Sequence, residues 1–378
     1  MKTLVRALPH PPRPGQRQRR YGVLVAGAPA PGVNTAVRAA VRLLLDAGHR
    51  VVGVRTGFEG LISGDVFEMD WMSVHGMVAS GGSGLGTSRR LPESPEDLAA
   101  IAATIAKHEI EWLLVVAGWT GYEAAHRLLL GRKLHPQLAL PVVLVPAAID
   151  NNLPGAEFAI GADTAVNAIT VAADRIKQSG TAWRRCFVVE VMGRDCGYLA
   201  AVGALATGAE RAWTPEEGMT LSSLQKDLQA LVAGFRRGKR LGLMIRSENA
   251  SPVFTTGFLR KLFEEEGKGL FDAREAILGH LQQGGDPTPF DRIQATRMAA
   301  ACVEWLLEES GKENPGAAFL GTDGGRTRFF DLADFPAMVE KDRQRPKQQW
   351  WLLLLPIVRL LAQAEPSHSP TASGAPPH

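Results

Sequence analysis

Cysteine is scarce in this chain: 378 residues carry three, Cys186, Cys196 and Cys302, odd in number, widely scattered and without metal-ligand spacing. A disulfide scaffold is excluded, and a reducing, cytoplasmic setting fits best. Long apolar runs are also missing. The nearest, residues 350–362, is too short to cross a bilayer and contains Pro356 and Arg359, so it reads as a packed helix and no membrane partner is expected. Charge of one sign is not in excess either. The net charge is +3, with acids and bases mixed throughout, which argues against nucleic acid as a partner. No segment repeats with a solenoid period. Residues 1–20 lack acids and hold several arginines, a faint hint of a transit peptide, but the prolines of PHPPRPGQ oppose an amphipathic helix and favour a linker. At the other end, residues 364–378 are rich in Pro, Ser, Ala and Gly without apolar periodicity, the composition of a disordered tail.

What is present is a large apolar complement, 45% of the chain, enough for two lobes. Short apolar runs, YGVLVA, RVVGV, EWLLVVAG, PVVLVPA, CFVVEVMG, RLGLMI and EAILGH, alternate with stretches of helical period. Continuous rather than alternating apolar runs are strands covered on both faces, hence a mostly parallel, doubly wound α/β architecture. In such sheets ligands bind beyond the carboxyl ends of the strands, so the turns that follow them are the places to look.

The first of these turns, AGAPAPGVN at 26–34, precedes a helix whose free amides suit a phosphate, although a tight strand-to-helix connection explains it equally. It fits neither the Walker pattern nor the dinucleotide GxGxxG fingerprint. SGGSGLGTSRR sets Arg89 and Arg90 behind flexible backbone, as phosphate recognition or a solvated basic loop would require. After EWLLVVAG come Trp119, Thr120 and Gly121, where phosphoryl transfer would place a carboxylate for Mg²⁺. In AIDNNLPG, Asp150 heads a polar trio suited to a general base or hydroxyl binder, and equally to an ordinary turn. In RRCFVVEVMGRDCGY, Arg184 and Arg185 precede the apolar strand and Arg194 follows it; Glu248, Arg274, His280, Gln282 and Gln283 flank the later strands. A lone histidine at a strand end is usually structural, but here cations for phosphate mix with amides and carboxylates for hydroxyls. A sugar phosphate is the simplest ligand with both needs.

These segments, in this order from about Tyr21 to the Trp350 region, resemble ATP-dependent 6-phosphofructokinase. GFEG at 57–60, GADTAVN at 161–167, MGRDCGYLA at 192–200 and GGDPTPFDR at 284–292 are similar to signatures of that family. GAPAPG, DRIKQSG, EEGKG, LGHLQQGG and RPKQQWW are similar to the carboxyl-terminal, regulatory half of the duplicated eukaryotic enzyme, and LVRALPHPPRP is similar to the connector between its halves. The resemblance implies a first lobe from 21–160 plus 285–330, a second from 161–284, and C-terminal helices over 331–363. It implies a fructose 6-phosphate or fructose 2,6-bisphosphate site at Arg89, the turn Ala148, Ile149, Asp150, Asn151 and Asn152, Arg185, the turn Met192, Gly193 and Arg194, Glu248, Arg274, and the segment His280, Leu281, Gln282 and Gln283. Arg185 and Arg274 would reach in from a neighbouring subunit, so a homo- or hetero-oligomer with a catalytic half or other phosphofructokinase subunits is expected.

The departures from the family lie on the nucleotide side. After Gly27, Ala28 and Pro29 stand for the second Gly and the Asp of GGD, and proline removes an amide donor. After Gly118, Trp119 stands for the aspartate that serves Mg²⁺, so ATP and Mg²⁺ are not expected to bind productively and no metal ligand is assigned. Ala148, Asn152 and Gln283 replace further family residues, and Gln344 occupies the place of an arginine of regulatory halves; Asp150 and Arg194 match a catalytic base and the MGR arginine. The leading expectation is a glycolytic phosphofructokinase chain whose own site binds an effector; the alternative is a weakly active phosphotransferase using Asp150. A nicotinamide-dependent oxidoreductase would rest only on the doubly wound pattern.

Overall fold

A computed structural model describes residues 17–180, 182–309, 312 and 315–362. Most of the predicted linker and the whole of the predicted tail lie outside the described residues. The seven apolar runs are all strands: β1 (Arg20–Ala26), β2 (Arg50–Val54), β4 (Trp112–Ala117), β5 (Val142–Pro146), β6 (Arg185–Val191), β8 (Leu241–Ser247) and β9 (Asp272–Ile277). Four more join them: β3 (Val66–Met69), β7 (Arg211–Trp213), β10 (Ala317–Asp323) and β11 (Arg326–Asp331). They form two sheets, a seven-stranded one ordered β11-β10-β5-β4-β1-β2-β3 and a four-stranded one ordered β7-β8-β6-β9. Pairing is parallel except at the edges of the first sheet, where β3 and β11 run antiparallel. This is the two-lobed, doubly wound α/β fold expected from the apolar pattern.

Helices cover both faces of each sheet. They are α1 (Val33–Asp46), α2 (Phe58–Ser63), α3 (Pro95–Lys107), α4 (Trp119–Gly131), α5 (Ala162–Gly180), α6 (Tyr198–Thr207), α7 (Leu221–Arg236), α8 (Thr256–Gly267) and α9 (Pro289–Glu309), with α7 and α8 packed on the second sheet. Leu24, Leu113, Val115 and Leu144 point to a core shared with α3 and α4, while Val23, Leu114, Val116 and Val143 point to one shared with α1, α5, α6 and α9. That division explains why β1, β4 and β5 are apolar at every second position on both sides. The start of α3 is written in its sequence: Ser94 and Asp97 form a capping box around Pro95 at the first turn.

Two runs end differently from the reading of the sequence. In EAILGH the strand stops at Ile277, and Gly279–Gln282 is a 3-10 turn. The segment 350–362 is a 3-10 turn, Trp350–Leu354, followed by a helix, Leu355–Leu361, because Pro356 is tolerated in a first helical turn and not later.

The family-like signatures brace one another where the two sheets meet. Asp291, 1% exposed, accepts hydrogen bonds from the Gly161 and Thr164 amides at 2.9 and 2.8 Å and from the Thr164 hydroxyl, and Thr288 donates to Asp163 at 2.6 Å. Asn34 on α1 holds the glycine-rich loop by donating to the Ser80 and Gly81 carbonyls and accepting from the Gly84 amide. A β-carbon on Gly81 would lie 2.2 Å from the Gly285 carbonyl oxygen, so that loop and GGD can only close against each other through glycine.

Candidate functional site

The turns after β1, β4, β5, β6, β8 and β9 enclose a cleft of about 360 Å³ between the lobes. Of the residues predicted from sequence, it brings together Arg89, Ala148, Ile149, Asp150, Asn152, Met192, Arg194, Glu248, His280 and Gln283, with Gly118 and Trp119 at its far end. Thr120, Asn249 and Gln344 also line it; Thr120 and Gln344 stand beside segments the sequence had singled out, whereas Asn249 carried no signal.

The β5 turn is shaped by Asn151, which adopts φ 49. Its side chain donates to the Glu157 carbonyl at 2.9 Å and accepts from the Ala159 amide at 2.7 Å, so Asn151 builds the turn and does not face a ligand. That leaves Asp150 half-buried in the cleft. Burial pushes its carboxyl up to about 6; the charges of Arg194 and Arg89 pull it down and that of Glu248 pushes it up. Asn152 turns the other way and donates to the Gln344 carbonyl at 2.8 Å.

In the β6 turn, Gly193 at φ 132 lets the chain double back: a β-carbon there would sit 2.4 Å from the Cys196 carbonyl oxygen. Arg194 follows at φ 50; its amide donates to Glu248 Oε1 at 2.8 Å and its guanidinium to Gln344 Oε1 at 3.3 Å. Beneath it, a pair the sequence did not reveal fixes the β8 turn. Arg246, 2% exposed, binds Glu190 at 2.9 Å and the carbonyls of Glu248, Ser251 and Phe254. Only a buried guanidinium has enough donors for that many acceptors. Gln282 is structural too, accepting from the Met192 amide at 3.2 Å, whereas Leu281 is 74% exposed outside the cleft. Arg89 has no hydrogen bond or ion pair among the described residues and stands at the cleft as an open cation.

Arg185 and Arg274 lie elsewhere in the same chain. Arg185 opens β6, at the opposite end of the strand from Arg194; it leans over Trp183 and lies 4.0 Å from Asp272. Arg274 bonds the Ala273 carbonyl at 2.8 Å and Asp272 at 3.4 Å. Neither reaches the cleft of its own chain.

The nucleotide side is closed upon itself. The Gly27 amide donates to the Ser88 carbonyl at 3.0 Å and the Gly118 amide to the Ala26 carbonyl at 2.8 Å, so neither glycine offers its amide to a phosphate. The Pro29 carbonyl accepts from Gln283 Nε2 at 3.3 Å, tying the first turn to the second lobe. Trp119, 6% exposed, packs edge-on to Phe335 with ring centroids 5.5 Å apart. Among the described residues, no group of three or more His, Cys, Asp and Glu converges as a cation-ligand set. The cleft's carboxylates are Asp150 and Glu248, and Glu248 is already engaged with the Arg194 amide. These residues do not fit a Mg²⁺ ion at the head of α4.

The chain is a two-lobed α/β protein with a cation-lined polar cleft at the carboxyl ends of its strands, the place where proteins of this architecture bind small ligands. A family model described as Phosphofructokinase matches residues 20–306, and the chain belongs to the phosphofructokinase family. It is 41% identical to human ATP-dependent 6-phosphofructokinase, muscle type, over 94% of this chain and 47% of that protein. The solved phosphofructokinase from Saccharomyces cerevisiae superposes with a TM-score of 0.88 at 34% identity, covering 91% of this chain and 47% of that one. A pyrophosphate-dependent phosphofructokinase from Marinobacter aquaeolei, 18% identical, shares the fold at a TM-score of 0.71 over 95% of both chains. The chain spans about half the length of the curated relatives it matches, which fits the resemblance to one half of the duplicated enzyme. No helix among the described residues is long and apolar enough to cross a membrane.

Proposed function

We propose that this chain is a regulatory-half-like member of the phosphofructokinase family, one that binds a fructose bisphosphate effector in the interlobe cleft and controls a catalytic partner half. The observation that carries this reading is the asymmetry of the cleft. Arg89, Arg194, Glu248 and His280 remain on the sugar-phosphate side, while Trp119 fills the head of α4 with an indole packed on Phe335. Arg89 and Arg194 supply guanidinium forks for phosphate oxygens, and Glu248 and the Asp150 turn accept from sugar hydroxyls. Arg185 and Arg274, remote from the cleft of their own chain, complete a neighbour's cleft in the oligomer. In a reducing cytoplasm the three buried, free cysteines stay as thiols. Titration calorimetry of the oligomeric chain with fructose 2,6-bisphosphate tests the proposal: saturable binding supports it, and a folded oligomer that takes up no ligand rejects it.

A second reading, a weakly active ATP-dependent phosphotransferase, is favoured by one observation, the half-buried Asp150 carboxyl held near 6 beside Arg194, a value suited to a base working near neutrality. A coupled assay with ATP, Mg²⁺ and fructose 6-phosphate separates the two. Turnover that vanishes in Asp150→Asn would establish the second reading, and no turnover with retained effector binding the first.

A further inference from the structure

Gln344, which lies outside the strand-end turns, touches both walls of the cleft at once. Its main-chain carbonyl accepts from Asn152 in the β5 turn at 2.8 Å, and its side-chain Oε1 accepts from the Arg194 guanidinium in the β6 turn at 3.3 Å. It sits at φ 48 in a short ribbon whose strands pair Val339 with Pro346 and Glu340 with Arg345. The adjacent Arg345 nails that ribbon down, binding Glu340 at 2.8 Å, the Asp195 carbonyl at 3.0 Å and the buried Glu216 at 3.3 Å. Arg194, by contrast, is exposed. Its one side-chain hydrogen bond among the described residues is the one to Gln344, and without it an exposed arginine keeps most of its rotamer freedom.

We propose that Gln344 is a positioning residue that holds the Arg194 guanidinium in the cleft and thereby sets the ionisation of Asp150 and the cleft's affinity for anions. The charged groups that act on Asp150 are Arg194, Glu248 and Arg89, with Arg194 the strongest, and the Cys196 thiol feels Asp150 in turn. Glu248 is fixed by the Arg194 amide, and among the described residues Arg194 is the cation acting on Asp150 whose side chain a neighbour, Gln344, holds by a hydrogen bond. A neutral amide suits this task. It accepts from the guanidinium without neutralising it, where a carboxylate would cancel the charge and a cation would push it away.

The test uses Gln344→Met, which keeps length and the main-chain bond to Asn152 but has no carbonyl acceptor. Carboxyl-carbon NMR of the full chain, labelled at aspartate, follows Asp150. Its titration is expected to move upward by roughly 0.5–1 unit in Gln344→Met, as withdrawal of a neighbouring cation requires. Arg194→Ala should give a shift at least as large, and the double variant no more than Arg194→Ala alone. An Asp150 titration that stays in place in Gln344→Met while moving in Arg194→Ala would overturn the proposal, and so would additive shifts in the double variant. This readout needs no ligand, so it stands or falls separately from the effector reading on which the second arm rests. There, calorimetry with fructose 2,6-bisphosphate should show about tenfold weaker binding in Gln344→Met. If the parent chain binds nothing, the effector reading fails and the NMR result still decides the role of Gln344.

Discussion

Asp150 sits at the centre of the cleft's chemistry, and its surroundings make a measurable demand on stability. Burial holds its carboxyl near 6, against about 3.9 for an aspartate in an unfolded chain. Between those values the unfolded chain sheds the proton more readily than the folded one, so rising pH favours unfolding. The contribution of the protonated group is complete below about pH 4 and is lost as pH climbs through about 6. A gap of about two units corresponds to at most ~3 kcal/mol, and partial solvation of the cleft reduces it to about 1–2 kcal/mol. Asp150→Asn removes the titration. Urea unfolding of that variant should show about 1–2 kcal/mol more stability than the parent at pH 8 and no such gain at pH 4; an equal difference at both pH values would refute this account of the site.

At the scale of elements, the brace between α5 and α9 carries more than any single turn. Asp291 alone satisfies two amides and a hydroxyl at the head of α5, a position where a carboxylate also meets the positive end of the helix dipole. Asp291→Ala leaves those donors buried without partners, each costing about 1–3 kcal/mol. The expected loss is roughly 3 kcal/mol in urea unfolding, and a loss below about 1 kcal/mol would mean that water replaces the carboxylate. This brace also shows what a sequence reveals and what it does not. The central strands were legible because parallel strands buried on both faces are apolar without interruption, as WLLVVA and VVLVP are. Of the edge strands only β9 was legible: β3 and β7 are only Val66–Met69 and Arg211–Trp213, and β11 is exposed and charged. The β10–β11 hairpin did carry a signal, the pair Gly324 and Gly325, both with positive φ. In the site, Asp150, Arg194 and Glu248 were legible from their places after strands. Arg246 and Asn249 were not: the buried ion pair of Arg246 is made by folding and leaves no spacing to read, and Asn249 follows β8 without a motif around it. Asn151 and Gln282 were read as binding residues although they build turns, since a turn-forming amide and a ligand-binding amide are the same residue until the backbone is known.

For the whole molecule, the open question is where Arg185 and Arg274 act. Both stand toward the start of their strands, β6 and β9, in a lobe whose cleft residues lie past the strand ends. The strand β9 is an edge, paired on one side with β6 alone, and it presents Ile277 at 64% exposure beside the exposed Arg274. A cation on an open edge, bonded to the Ala273 carbonyl and paired with the partly exposed carboxylates of Asp272 and Glu264, gains little from those pairs and is available to a phosphate brought by a second copy. Arg274→Ala should therefore leave thermal stability of the chain within about 0.5 kcal/mol. It should weaken fructose 2,6-bisphosphate binding by the oligomer roughly ten- to hundredfold, the worth of one charge-assisted phosphate contact. Diluting the parent protein until sedimentation shows monomers should weaken binding by more, since Arg185 is lost from the cleft as well, and Arg274→Ala should add nothing once the oligomer has come apart. Binding that survives dilution unchanged would place the whole effector site within one chain and leave Arg274 a surface residue.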